Sequence, residues 1–357
     1  MKLRYLISIL LLTTLASCSN QENPRFKVKP SALGVMNEIV VISDDDIWSS
    51  IVGDTVRHYF EGVYPLTPRP EPIFDLRQYE VAEINFQPLK KELRTYLILA
   101  NLADTESEAT QFVSRDLGEE RIARAKSDPT FNTSVGKDKW ANGQILIYLF
   151  AYGTDALATA VEQHFNGISS RINEHDAVQL YQSTYAKGHN RGLTSRLVER
   201  FGAEIDLPFD FQLVLDKEDE NGLIWVRKEM KEGVANIAIR EYDYTSTDLI
   251  SKQAAKERFD AFGTHVSSKR ENTFIVINDR DLPILEFDRT ISNRYAKEWR
   301  GIWEMENDFM GGPFMSYAVV NETTGKLLVV DSFIFAPGKK KRNAMQQLDL
   351  IVKSLKW

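Results

Sequence analysis

Asn221-Gly222-Leu223-Ile224-Trp225-Val226-Arg227-Lys228-Glu229-Met230-Lys231-Glu232-Gly233-Val234-Ala235-Asn236-Ile237-Ala238-Ile239-Arg240-Glu241-Tyr242 is the stretch that decides the fold. It holds two short runs of strand character, Leu223 to Glu229 and Val234 to Tyr242, with Asn221-Gly222 before the first and Glu232-Gly233 between them. Such pairs let the chain reverse tightly, so the runs read as hairpin strands. Phe209 to Leu215 adds a strand upstream. Downstream come a helix from Thr247 to Phe262, a strand from Thr273 to Ile277, strands Phe314–Val320 and Lys326–Phe335 about a Thr324-Gly325 turn, and a helix from Lys339 to Leu355. Several strands joined by hairpins, with helices between groups of them, define an antiparallel-rich α+β fold whose sheets carry flanking amphipathic helices.

The preceding residues repeat this grammar. Asn37 to Ser43 is a β-branched run. From Asp44 to Tyr64, Ile47, Trp48, Ile51, Val52, Val56, Tyr59 and Phe60 fall at helical spacing. The acids Asp44, Asp45 and Asp46 suit the start of that helix, where carboxylates cap free N–H groups, better than a metal site. Pro65, Pro68, Pro70 and Pro72 make an extended loop. Thr95 to Asn101 reads as a strand, Thr105 to Lys126 as a charged helix, and Gln144 to Tyr152 as a central buried strand. Helix follows from Thr154, with His164 half-buried beside its apolar face, and a second helical segment runs to about Arg200. The expected organisation is an N-terminal half over 34–176, a helical connector over 177–206 and a C-terminal half over 207–357. Thr95–Arg121 and Val234–Arg258 share a strand, acidic turn and charged helix, a pattern that duplication and convergence explain equally well.

Composition sets the outer limits. The 357 residues carry 44 Lys plus Arg against 51 Asp plus Glu, a formal charge of 44 − 51 = −7, with 43% hydrophobic and 11% aromatic residues. The chain is too apolar to be disordered and too acidic for a general nucleic-acid binder.

Lys2 and Arg4 precede an apolar run from Tyr5 to Leu15, which is shorter than the roughly 20 residues of a membrane span. It closes with Leu15-Ala16-Ser17-Cys18 and resembles the lipobox of bacterial lipoproteins. The resemblance implies a signal peptide over 1–17, a cysteine at Cys18 acylated and made the new N-terminus, and a lipidated tether over 18–33. Cys18 is the sole cysteine, so no disulfide forms within a monomer. Ser19 stands where an inner-membrane retention signal shows Asp, so the resemblance points to the outer membrane, with the periplasmic face preferred to the cell surface.

Arg294-Tyr295-Ala296-Lys297-Glu298-Trp299-Arg300-Gly301-Ile302-Trp303-Glu304, Asn307-Asp308-Phe309-Met310-Gly311-Gly312-Pro313-Phe314 and Ala336-Pro337-Gly338-Lys339-Lys340-Lys341-Arg342 are the most individual stretches of the chain. Together with the lipobox they resemble an uncharacterised domain-of-unknown-function family of lipoproteins from Bacteroidota. The resemblance implies an address and no reaction. Arg294/Glu298, Arg300/Glu304 and Trp299/Trp303 lie four apart, the spacing of helical pairs, so this segment reads as helix, Gly311-Gly312 turn and strand. A sharper reading is a polar cleft with Arg300, Trp303, Glu304, Asn307 and Asp308 around the Gly311-Gly312 loop, suited to a sugar or peptide. Lys339, Lys340, Lys341 and Arg342 open the last helix, where four cations meet an unfavourable dipole. Either Glu304, Glu306 and Asp308 or an external anion is expected to offset them.

Motifs of established chemistry are lacking: there is no metal-binding His-Glu-x-x-His, no nucleophile elbow and no phosphate loop. No cofactor or metal is expected. The sequence therefore favours a non-enzymatic envelope scaffold or binding protein, in contact with membrane lipid through Cys18 and with an envelope protein or glycan. A carboxylate-dependent hydrolase of envelope glycans is the alternative.

Overall fold

In the computed structural model, residues 29–65 and 67–357 are described; the signal peptide, Cys18 and most of the tether lie outside them. The first domain is a five-stranded sheet of β1 (Glu38–Ile42), β2 (Asp75–Tyr79), β3 (Thr95–Asn101), β4 (Thr133–Lys137) and β5 (Ile145–Ala151), in the order β2-β1-β3-β5-β4. The pairings of β1 with β2 and β3, and of β3 with β5, are parallel, and only β4 runs antiparallel. Parallel strands need helical crossovers, and these cover both faces. One face packs Ile39, Val41, Leu97, Leu99 and Ile147 against α2 (Ile51–Phe60) and α6 (Thr154–Thr184). The other packs Val40, Tyr96, Ile98 and Leu146 against α3 (Val81–Phe86), α4 (Glu108–Leu117) and α5 (Glu119–Ser127). Burial on both faces is why β3 and β5 are continuous apolar runs.

Local chemistry sets the helix ends. The helix expected over Asp44–Tyr64 is divided into α1 (Asp45–Trp48) and α2, with the Ser50 hydroxyl capping the latter through Val52 N–H. The Asp44 carboxylate accepts hydrogen bonds from the Ala109 N–H at 3.2 Å and from the Ser107 hydroxyl, so it also serves the entry of α4. The charged helix breaks at Gly118, whose φ of 80° ends α4 and starts α5.

After α7 (Arg191–Phe201) the second domain is an eight-stranded antiparallel sheet of β6 (Gln212–Asp216), β7 (Ile224–Met230), β8 (Gly233–Asp243), β9 (Phe274–Asn278), β10 (Leu285–Ile291), β11 (Arg294–Glu306), β12 (Gly311–Asn321) and β13 (Lys326–Phe335). Its order is β10-β11-β12-β13-β8-β7-β6, with β9 pairing the later half of β11. Helix α8 (Lys252–Gly263) covers one face through Phe259 and Phe262; α7 and α9 (Arg342–Lys353) cover the other through Leu197, Phe201, Met345, Leu348, Ile351 and Val352.

The α+β class holds, and two expectations are corrected. Arg294–Glu304 is strand, because a spacing of four is even and keeps residues on one face of a strand as it does on a helix. Gly311 and Gly312 begin β12 and do not form a positive-φ turn; the positive φ in this connection is at Asn307, at 61°. A Cβ at Gly312 would lie 1.9 Å from the Ile334 carbonyl oxygen, so close backbone approach is what requires glycine there. As for duplication, β3 sits between parallel partners and β8 between antiparallel ones, so the shared strand and helix pattern is local.

Candidate functional site

Strand β11 turns Trp299 and Trp303 into the α8 core and Glu298 and Arg300 towards α9. Glu298 is fully buried, an arrangement that requires paired cations. It has two: Arg289 Nε donates to it at 2.5 Å, and Arg300 Nε donates to its other oxygen. Arg300 then reaches across the domain boundary, with one guanidinium nitrogen 3.2 Å from the Tyr64 hydroxyl and the other 3.3 Å from Asp349 on α9. The Tyr317 hydroxyl donates to the same Asp349 oxygen, and Lys353 donates to the second at 2.7 Å. Burial raises the pKa of Tyr64, with Arg300 opposing, and raises that of Tyr317, with Asp349 and Glu298 adding to it. Desolvation acts to lower that of Arg300, but Tyr64, Asp349 and Glu298 outweigh it and the net direction is upward. The cluster is thus a hydrogen-bonded network of Glu298 and Asp349 with Arg289, Arg300 and Lys353, closed by two phenols whose pKa values are raised.

This network forms one wall of a cavity of about 390 Å³ between the domains. Helix α6 contributes Asn173 and Asp176, α9 contributes Gln346, Asp349 and Lys353, and Asn37 and Tyr64 come from the first domain. Asn37 is the hinge of this wall. Its φ is 63°, its N–H donates to Asp176 at 3.0 Å, and its side-chain amide donates to Asn343 and Gln346 on α9 at 3.0 and 2.8 Å. Asp176 is 6% exposed, lies 3.7 Å from Arg94, and its other oxygen has no hydrogen-bond partner. Met36, Ala177, Leu180 and Leu350 complete the lining, which is more apolar than polar.

The basic cluster is offset internally, but by other acids than Glu304, Glu306 and Asp308. The buried Glu71 carboxylate accepts from the backbone N–H groups of Lys341 at 2.7 Å and Arg342 at 2.9 Å, capping α9. Lys340 and Arg342 both pair with Asp75, and Lys339 pairs with Glu232 at 2.6 Å. Arg342 also donates to the Pro72 and Ile73 carbonyl oxygens. Burial pulls the Lys341 ammonium below its usual pKa, with Glu71 opposing. Burial works to raise the Asp75 pKa, but the hydrogen bonds from Lys340 and Arg342 win and lower it. The proline-rich loop and α9 are therefore one electrostatic clamp between domains.

The cleft expected beside the tryptophans does not assemble in that form. Trp299 and Trp303 are 0% and 2% exposed, and Trp303 Nε1 donates to the Ile334 carbonyl oxygen. Glu304 is bound by Asn278 at 2.9 Å and by Arg280, Asn307 donates to the Asn272 carbonyl oxygen, and Asp308 faces Arg270 at 3.3 Å. None of the residues singled out from sequence lines the cavity; Arg300 stands behind it, bonded to the lining residues Tyr64 and Asp349. Asn37, Tyr64, Glu71, Asp75, Asp176, Tyr317 and Asp349 carried no local signal.

These features define a two-domain α+β protein clamped about an interdomain cavity. Residues 190–354 match a family model described as Domain of unknown function (DUF4837), and residues 32–185 match another, Domain of unknown function (DUF8532). The two matches meet at the turn between α6 and α7 and support an uncharacterised domain family. The crystal structure of LpqN, involved in cell envelope biogenesis of Mycobacterium tuberculosis, is similar over 43% of this chain and 82% of that one, at 10% identity and a TM-score of 0.26. A likeness of that size carries no functional argument. No curated relative matches the chain. Among the described residues, no helix is long and apolar enough to cross a membrane.

Proposed function

We propose that this chain is an outer-membrane lipoprotein of the Bacteroidota type, acylated at Cys18 and facing the periplasm, which binds a polar envelope ligand in its interdomain cavity without reacting with it. The observation that carries the binding reading is how the cavity acids are engaged, Asp176 by the Asn37 N–H and Asp349 by three side chains. Glycoside hydrolysis needs one carboxyl held protonated as the general acid beside a second that stays ionised. Asp349 is instead the acceptor of hydrogen bonds from Arg300, Tyr317 and Lys353. The Asn37 and Gln346 amides bond to each other, and the Asn173 amide, set among the apolar Met36, Leu180 and Leu350, offers a donor and an acceptor of the kind that hold hydroxyl and peptide groups. Peptidoglycan fragments, combining sugar hydroxyls with peptide amides, are the ligand class to test. Calorimetric titration with soluble muropeptides should give saturable binding that is weakened in Asn37→Ala and Asp349→Asn. Equal heats from wild type and both variants would refute the site. Palmitate labelling that is lost in Cys18→Ala tests the anchor separately.

A further inference from the structure

Large apolar side chains that face water are unremarkable when scattered. At the entry to β3 they are grouped. Phe86, the last residue of α3, is 85% exposed, and Leu89, in the 3₁₀ turn Pro88–Glu92, is 70% exposed. Leu33, 48% exposed, is held at the end of the same turn, because it bridges Leu93 and its N–H donates to the Glu92 carbonyl oxygen at 2.6 Å, and Val35, 58% exposed, follows two residues on. The base of this tip is rigid: the Tyr96 hydroxyl donates to the Lys90 carbonyl oxygen, and the Gln144 amide donates to those of Lys91 and Leu93. The nearby Lys90 ammonium is engaged on the protein, 3.3 Å from Glu83 and 3.5 Å from the Tyr79 ring centre. A firmly held pair of bare apolar side chains fits the interface of a bilayer, where such groups leave water.

The chain itself says which surface is in reach. The described residues begin at Lys29, whose carbonyl oxygen accepts from Asn142 Nδ2 on the same end of the sheet. Ten residues, and so eleven steps of the chain, separate it from Cys18, a contour of at most about 40 Å. We propose that Phe86 and Leu89 form a membrane-inserting tip that rests the N-terminal domain on the bilayer holding the anchor, an inference that builds on acylation at Cys18. Insertion is apolar in origin and indifferent to anionic lipid.

The test separates the tip from the anchor. A chain starting at Ser19 behind a hexahistidine tag has no cysteine, so Leu89→Cys supplies one thiol for an environment-sensitive dye. This protein is tethered to phosphatidylcholine vesicles carrying nickel-chelating headgroups and brominated acyl chains. The dye at position 89 should shift its emission to the blue and be quenched, and Phe86→Ser should cut that quenching at least twofold. A dye at Tyr152→Cys, at the far end of β5, should stay in water. Identical, unquenched emission at 89 and 152 overturns the proposal. Because chelation replaces the lipid, failure here says nothing of Cys18, whose acylation is read by palmitate labelling of cells.

Discussion

Replacing Glu71 by alanine removes the cap of α9 and, with it, the clamp between domains. The carboxylate is 6% exposed and accepts from the N–H groups of Lys341 and Arg342. Each buried N–H left without a partner costs about 1–2 kcal/mol, and losing an anion from a helix N-terminus adds about 1 kcal/mol. The sum is a loss of about 3–5 kcal/mol, the upper part reflecting that Arg342, 2% exposed, keeps Asp75 but loses a nearby counter-charge. Glu71→Gln retains one oxygen acceptor and should lose about 1–2 kcal/mol. The assay is urea unfolding followed by the fluorescence of Trp225, Trp299 and Trp303, which are buried in the second domain. A midpoint for Glu71→Ala within error of wild type would refute the clamp.

Three further outcomes follow from the same geometry. Arg300→Met leaves Glu298 with Arg289 alone and should cost about 3 kcal/mol in the same urea assay, while Arg300→Met with Glu298→Leu should recover most of it. Gly312→Ala places a methyl against the Ile334 carbonyl oxygen and should cost about 1–3 kcal/mol by strain, measured against Gly136→Ala in β4, where a Cβ meets nothing closer than 3.4 Å, as a control for general backbone effects. Asp75 has its folded pKa below the usual value near 4, so its stabilisation is present above that value and fades as pH falls through the folded one. Asp75→Asn should therefore be less stable than wild type at pH 7, with the two unfolding curves converging in acid.

The buried strands were legible because their chemistry is one-dimensional: β3 and β5 are covered on both faces, and their apolar runs announce it. The missed strands β2, β4 and β10 are sheet edges, where Asp75, Arg77, Lys137, Glu286 and Arg289 replace the apolar pattern and blunt further pairing. β11 was misread because its pairs recur every four residues. Its better signal was Ser292-Asn293, both with positive φ, which turns the chain from β10 into β11. The basic cluster before α9 correctly implied a counter-anion, yet its partners Glu71 and Asp75 lie some 270 residues earlier in the chain. Only the folded topology brings them together. The cavity was illegible for the same reason, since Asn37, Tyr64, Asp176 and Asp349 come from separate elements of two domains.

The reading of a binding protein and not a hydrolase is tested most directly by incubating purified protein with defined muropeptides and following both partners by mass spectrometry. The account predicts that the fragments are recovered at their starting masses, bound to wild type and released from Asp349→Asn. Fragments cleaved at a glycosidic bond by wild type but intact with Asp349→Asn would contradict it.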